Sequence, residues 1–484
     1  MAQKSIKKNY IYNLIYQSLT LILPLVTTPY LSRALGSEPI GIYSFTYSIV
    51  SYFLLFGSLG VNLYGQREIA YVNENPKKRT KIFWEIISCR FVTMFIAILV
   101  YFLVLGISGE YAVYYRIWLI ELIAMAFDIS WFFQGMEDFK KTVVRNVIVR
   151  LASITLIFIF VKNPEDLVKY ITIYSVADLI GNISLWRYLP KYFKGVKLKK
   201  IKPFYHLHAI ILLFIPQIAN QVYNLLDKTM IGQMITDKSE VGFYEQGQKV
   251  IRVLLTLVTS LGIVMIPRMA STFASGNKAK IIEYMKKSFR FVFLLAFPIV
   301  LGLISISQSF VPLFFGEGYD KVVILLNVIS PTIILTGMAN VIGTQYLLPV
   351  KRQKEYTVTI TIGLVINFIL NFILINLCDS IGASIATVLS ELIVVIAQLY
   401  VIRKDIKPKK VIKLGIPYLF ASLIMFAITM LEGSILGVGT KTVIIQIITG
   451  GLVYLFMLWL LKDEFLKMGI GKVKSILKIK KKIS

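Results

Sequence analysis

The chain has 484 residues, of which 56% are hydrophobic and only 16% charged, and its mean hydropathy is +0.71. That balance excludes a large soluble core and marks a polytopic membrane protein, so the formal net charge of +27 is read by its placement and not as a nucleic-acid footprint. The two cysteines, Cys89 and Cys378, lie far apart in apolar runs, which supports neither a disulfide framework nor a thiolate metal site.

At about 20 apolar residues per crossing plus short loops, the length accommodates about fourteen helices. Met1 to Tyr10 carries Lys4, Lys7 and Lys8 ahead of a long apolar run with no small-residue cleavage site, so it reads as the start of a first span. The predicted spans are roughly 9–34, 39–70, 81–107, 111–135, 138–161, 165–189, 204–235, 240–272, 279–308, 320–348, 354–377, 380–402, 411–432 and 442–461, with limits good to about 4 residues. Basic residues cluster at every second connection: Lys4 to Lys8, Lys77 to Lys81, Lys140 and Lys141, Lys191 to Lys202, Lys278 and Lys280, Lys351 to Lys354, Arg403 to Lys413, and Lys462 to Lys482. The intervening connections carry only Lys162, Lys238, Lys321 and Lys441. Both termini and the rich loops are therefore expected in the cytoplasm. The basic tail needs no role beyond anchoring to anionic lipid.

Segments of the chain echo one another. Glu38-Pro39-Ile40-Gly41-Ile42-Tyr43 is matched by Glu240-Val241-Gly242-Phe243-Tyr244, Leu59-Gly60 and Arg67 by Leu261-Gly262 and Arg268, and Arg90-Phe91-Val92 by Arg290-Phe291-Val292. A nearly constant offset through several spans implies two copies of a six-helix unit. Six crossings return each copy to the face it entered from, so the copies are parallel repeats with a cleft and alternating access between them. The expected division is 1–195 for the first lobe, 196–404 for the second, and 405–484 for two added helices and the basic tail. No loop is long enough for a folded catalytic domain.

The second copy opens on two segments more polar than lipid tolerates. Gln217, Asn220 or Gln221, Asn224 and Lys228 recur at three- and four-residue steps, as do Glu245, Lys249, Arg252, Thr256 and Thr259. An ionised group at bilayer depth costs roughly 2.5 to 3.5 kcal/mol, so these stripes are expected to face a water-filled cavity. Hydrogen bonding between helices is the plainer alternative. The first copy offers Asn13, Gln17, Thr20, Pro24 and Thr27 at the corresponding place.

Depth along the predicted helices puts Arg90, Arg150, Arg252 and Arg290 near mid-bilayer with Glu121, Asp178 and Glu391 as acids. A buried arginine needs a carboxylate or an anionic ligand. Lys249 and Arg252 share the neutral polar face and point to a phosphate-like anion, whereas Arg33, Asp227, Lys228, Arg67, Glu68 and Arg268 lie near helix ends, where snorkelling accounts for them. His206-Leu207-His208 diverges on a helix and lacks a third ligand. No nucleotide-binding glycine loop and no activated nucleophile occurs.

WFFQGMEDFKKTVVRNVIVR (Trp131 to Arg150), NLLDKTMIGQM (Asn224 to Met234), EVGFYEQGQKVIRV (Glu240 to Val253) and QYLLPVKRQKEY (Gln345 to Tyr356) resemble the signature segments of Wzx-type oligosaccharide flippases, members of the multidrug, oligosaccharidyl-lipid and polysaccharide exporter superfamily. The resemblance runs from Pro24 to about Arg403. It implies an all-α fold of two six-helix lobes plus two C-terminal helices in a bacterial cytoplasmic membrane. The implied activity is movement of an undecaprenyl-diphosphate-linked oligosaccharide to the outer leaflet for capsule, exopolysaccharide or O-antigen synthesis, alongside polysaccharide polymerase machinery and without a cofactor. It further implies a cationic cavity, whose matching residues here are Arg33, Asp227, Lys228, Lys249 and Arg252, with Gln217, Asn220, Asn224 and Glu245 on the same stripes. The second helix departs from that pattern, holding Ser48, Ser51, Ser58 and Asn62 where a mid-depth arginine would complete the clamp. Coupling to sodium ions or protons is implied as well, with Asp178, Glu245 and Glu391 as the acids available. The alternatives are a cation-coupled multidrug exporter, disfavoured by the arginine bias, a non-transporting scaffold of a synthesis complex, disfavoured by the polar interior, and a polymerase or ligase, disfavoured by the short outer loops.

Overall fold

A computed structural model describes residues 22–195, 201–463 and 465–467, and leaves aside the side chains of residues 215–217, 219 and 220. Asn13, Gln17, Thr20, Gln217, Asn220 and the tail from Lys472 thus lie outside the described residues. The protein is an all-α membrane protein: every described residue in regular structure is helical. Nine helices among the described residues are long and apolar enough to cross a bilayer, ten when the bent pair Ser239–Thr259 and Leu261–Ala274 counts as one span, so this measure does not reach the expected fourteen. The shortfall has a physical side, because polar stripes lower the hydropathy of a helix and a continuous run can hide a break. The chain divides into two compact units, residues 1–245 and 246–484.

The first unit comprises α1 (22–35), α2 (Ser37–Ser58), α3 (Val61–Tyr71), α4 (Pro76–Tyr101), α5 (Ala112–Ala126), α6 (Ser130–Gly135), α7 (Phe139–Phe160), α8 (Leu167–Trp186), α9 (Leu207–Met234) and the start of α10 (Ser239–Thr259). The second predicted span is broken at Leu59 and Gly60, which both take left-handed backbone (φ 48 and 72). Glycine accepts that conformation freely and leucine does not. Asn75 caps α4, accepting from the Lys78 amide at 3.1 Å with Pro76 in the first turn. Its interior is strongly aromatic: Phe83, Trp131, Phe132 and Phe133 are fully buried in one cluster and Trp118 and Tyr101 in another.

The echoed glycines touch. A Cβ on Gly41 would sit 1.7 Å from the Lys238 carbonyl oxygen, and one on Gly242 would sit 2.1 Å from that of Ser37. The contact is reciprocal, each glycine lying against the carbonyl four residues before the other, and it lets α2 and α10 approach backbone to backbone. Buried Lys238 closes the C-terminal end of α9, donating to the carbonyls of Gly232 at 2.7 Å and Ile235 at 2.8 Å, and burial holds its ammonium below the usual lysine range.

The second unit continues α10 and adds α11 (Leu261–Ala274), α12 (Lys278–Phe315), α13 (Asp320–Ile329), α14 (Thr332–Ala339), α15 (Gln353–Val401), α16 (Pro408–Leu436) and α17 (Thr440–Leu460). Ser260 separates α10 from α11 where Leu59-Gly60 separates α2 from α3, but Ser260 keeps right-handed helical backbone (φ −56), so the echo is one of position and not of conformation. Helix α15 is two arms, divided where Cys378 (φ −142) and Asp379 (φ 51) leave helical geometry, which is where the predicted spans 354–377 and 380–402 part. Cys89 is buried and Cys378 is exposed. The last two helices pack on α12: Gly415 meets Phe293 and Phe297, and the Tyr454 hydroxyl donates to the Leu294 carbonyl at 2.8 Å.

Candidate functional site

Within the first unit, α9 and α10 place their charges against each other. Lys228 is ion-paired with Glu245, the two side chains retaining 11% and 9% exposure. The Tyr244 hydroxyl donates to Asp227, and both residues are buried. Thr229 hydrogen-bonds to Ser48 at 3.0 Å and to the Tyr52 hydroxyl at 3.3 Å, joining α9 to α2. Lys228 and Glu245 were expected on wet stripes, and Asp227 near a helix end. Here they are buried and paired, so hydrogen bonding between helices describes them, and snorkelling does not describe Asp227 or Lys228. Asn224 is exposed on α9 and Arg33 is exposed on α1.

A second polar group lies where α2, α5, α7 and α8 meet. Tyr43 and Tyr47 stack with ring centres 5.9 Å apart, Tyr43 meets Tyr170 at 4.9 Å, and Tyr47 meets Trp118 at 4.9 Å. The Arg150 guanidinium stands 5.4 Å from the centre of the Tyr174 ring. Glu121 and Asp178 both lie within electrostatic reach of Arg150, and one Glu121 carboxyl oxygen is buried without a hydrogen-bond partner. A cavity of about 240 Å³ opens beside Arg150, bounded by Pro24, Thr27, Asn146, Ser153, Tyr170 and Tyr174. The tyrosines were not singled out from the sequence, although Tyr43 and Tyr47, like Tyr170 and Tyr174, are spaced four apart and so share a helix face.

Arg90 has a structural assignment. Fully buried, it donates to the Asp128 carbonyl at 2.8 Å and to Asn62 at 3.0 Å, with the Asp128 carboxylate at 3.9 Å, and so fastens α3, α4 and the α5–α6 break. Asp128 also lies 4.0 Å from Arg145. His206 is buried between the Tyr64 hydroxyl at 2.7 Å and Glu85 at 3.2 Å, contacts that join α9 to α3 and α4. Among the described residues no group of three or more His, Cys, Asp or Glu is placed to hold a metal ion.

In the second unit, Arg252 is exposed and Lys249 half-buried along α10, while Gln246 one turn earlier is fully buried. Glu391 is half-buried on the second arm of α15. The arms are joined by polar side chains: Asn371 donates to Asn367 at 3.2 Å, and Asn367 to Ser390 at 3.5 Å, all fully or almost fully buried. Such pairs satisfy groups that hydrocarbon would leave bare.

A family profile described as "Polysaccharide biosynthesis protein" matches residues 6–273, and a second, described as MatE, matches residues 213–373. The chain is 29% identical over 413 residues to a "Putative O-antigen transporter" of Escherichia coli (strain K12), covering 83% of this chain and 97% of that one. Among solved structures, "Lipid II flippase MurJ, inward closed conformation" superposes with a TM-score of 0.76 at 16% identity, over 94% of this chain and 100% of that one. The inward-facing conformation of a multidrug resistance MATE family transporter superposes with a TM-score of 0.61 at 14% identity, over 83% and 99%. These two superpositions establish the fold.

Proposed function

The chain belongs to the polysaccharide biosynthesis protein family, and from that premise we propose that it moves an undecaprenyl-diphosphate-linked oligosaccharide repeat unit from the inner to the outer leaflet of a bacterial cytoplasmic membrane. The observation that carries this reading is the similarity to a putative O-antigen transporter over nearly that relative's whole length. The difficulty of such transport is the diphosphate and sugars, which hydrocarbon will not dissolve, while the prenyl tail can remain in lipid. Arg252, with its guanidinium exposed on α10, is the residue proposed to receive the diphosphate, since a guanidinium fork matches phosphate oxygens. Lys249 on the same helix adds charge, and exposed hydroxyls such as Thr256 suit sugars. Transport proceeds by alternating access, with both termini in the cytoplasm as the charge bias indicates.

Coupling to protons or sodium ions is assigned, within this proposal, to the Glu121, Arg150 and Asp178 group. A buried carboxyl oxygen without a partner is best satisfied by a proton or a cation. Glu245 would first have to leave Lys228, which makes Asp178 the better candidate of the acids named from sequence.

The test is reconstitution in proteoliposomes with a fluorescent prenyl-diphosphate sugar, scored by its loss of access to an impermeant glycosidase. Protein-dependent transfer across the bilayer is expected, and transfer no faster than in empty liposomes refutes the reading.

A further inference from the structure

Three helix ends of the second unit converge on a basic hollow that transport leaves unexplained. Helix α12 supplies Lys286 and Arg290, α16 supplies Lys410 and Lys413, and the turn after α17 supplies Lys462, around a cavity of about 610 Å³. The one acid among the described lining residues, Asp463, is already engaged. One of its oxygens accepts the Tyr418 hydroxyl at 2.7 Å and the other accepts the amides of Phe465 at 2.9 Å and Leu466 at 3.1 Å. None of the four lysines has an ion-pair partner among the described residues.

Two backbone features shape the rim. Lys462 occupies left-handed backbone (φ 54) in the turn that closes α17, where its amide bonds to Trp459 at 3.1 Å and that of Asp463 to Leu458 at 3.0 Å. Glycine is the usual residue in such a turn, so a lysine there is retained against local strain. Pro417 has no N–H to give the Lys413 carbonyl, which leaves an acceptor without its helical donor beside the cavity.

We propose that this hollow binds the headgroup of an anionic glycerophospholipid of the phosphatidylglycerol or diphosphatidylglycerol type. The lysines take the phosphate, and the freed carbonyl suits a glycerol hydroxyl. Basic pockets between membrane helices hold such headgroups where they meet the anionic leaflet. Leu414 and Leu461 give the cavity an apolar wall. Exposed Ile416 and Phe420 on α16 and Phe456 and Trp459 on α17 provide apolar faces for the acyl chains, which a soluble phosphate would not use.

Native mass spectrometry of the full-length protein, titrated with phosphatidylglycerol, diphosphatidylglycerol, phosphatidylethanolamine, inorganic phosphate and pyrophosphate, tests the assignment. One retained anionic lipid per chain is expected. The Lys413→Gln/Lys462→Gln variant should lose affinity by about ten- to thirtyfold, the loss expected of two interfacial cations. Lys278→Gln/Lys280→Gln, with the same charge change at exposed sites outside the hollow and the same basic tail, should bind as the parent does. Should the double variant fold poorly, Lys462→Gly relieves the strained turn, and it is expected to raise the thermal midpoint without lipid while weakening lipid binding. Equal losses in the hollow and control variants, equal retention of phosphatidylethanolamine, or displacement of the lipid by phosphate or pyrophosphate at comparable concentration would each overturn the proposal. The readout is binding, so its failure leaves the transport reading untouched.

Discussion

Replacing Lys228 by methionine removes one half of the ion pair that joins α9 to α10 and leaves the Glu245 carboxylate facing a thioether. With 11% and 9% of the two side chains exposed, water can do little to compensate. Breaking one side of a buried pair costs about 3–5 kcal/mol, whereas replacing both sides by uncharged groups of similar size is often close to neutral. Lys228→Met and Glu245→Gln should therefore each lower the thermal midpoint in detergent, by on the order of 5–10 °C, and the double variant should recover most of the loss. Four proteins, parent included, form a double-mutant cycle. A coupling of at least about 2 kcal/mol is expected for residues in direct contact. Single losses that add to within about 0.5 kcal/mol would refute the pairing as an energetic unit. The double variant also separates two roles: export by a stable, uncharged pair assigns Lys228 and Glu245 to architecture, and loss of export assigns them to the substrate path.

Arg252→Ala should abolish export of the lipid-linked sugar at an unchanged protein level, because the exposed guanidinium holds no ion pair among the described residues; export at parental rates would remove Arg252 from the site. Gly41→Val puts a side chain where a Cβ alone would stand 1.7 Å from the Lys238 carbonyl oxygen, so it should cost well over the roughly 1–3 kcal/mol of ordinary overpacking and show as lost expression or a lowered melting point. At the α7–α8 turn, the Lys169 ammonium, followed by the amides of Lys162 and Asn163, holds the Asp166 carboxyl down at about 2. A depressed carboxyl contributes stability above its unfolded value of about 4 and loses it as pH falls through about 2, so pepsin nicking at this turn should rise across that window. Asp166→Asn should flatten the dependence, and an identical profile in the variant would count against the reading.

Of the backbone breaks, the one at Cys378 and Asp379 was legible because it is local, whereas those at Leu59-Gly60 and Ser260 fall inside spans expected to be continuous. Leu59-Gly60 and Leu261-Gly262 were visible as an echo, but only the first pair is itself the break; the second opens α11 just after Ser260. The partition at Cys378 and Asp379 follows from two apolar runs meeting. What a one-dimensional pattern lacks is the identity of the opposite neighbour. Gly41 and Gly242 were visible as an echo, yet their mutual contact, which explains why both are glycine, needs α2 and α10 side by side. The stripe on α9 suggested water because nothing in its spacing said that Glu245, seventeen residues on, would meet Lys228. The same limit explains the basic hollow: Lys413 and Lys462 belong to connections that each read alone as a signal of orientation, and Lys286 meets them from within α12. A charge that fixes which face of the membrane a loop occupies remains free to bind something there, and convergence of helix ends turns the first property into the second. Lys228 and Lys413 make the contrast, since both are lysines on membrane helices and only the surroundings assign one to a buried pair and the other to a basic rim.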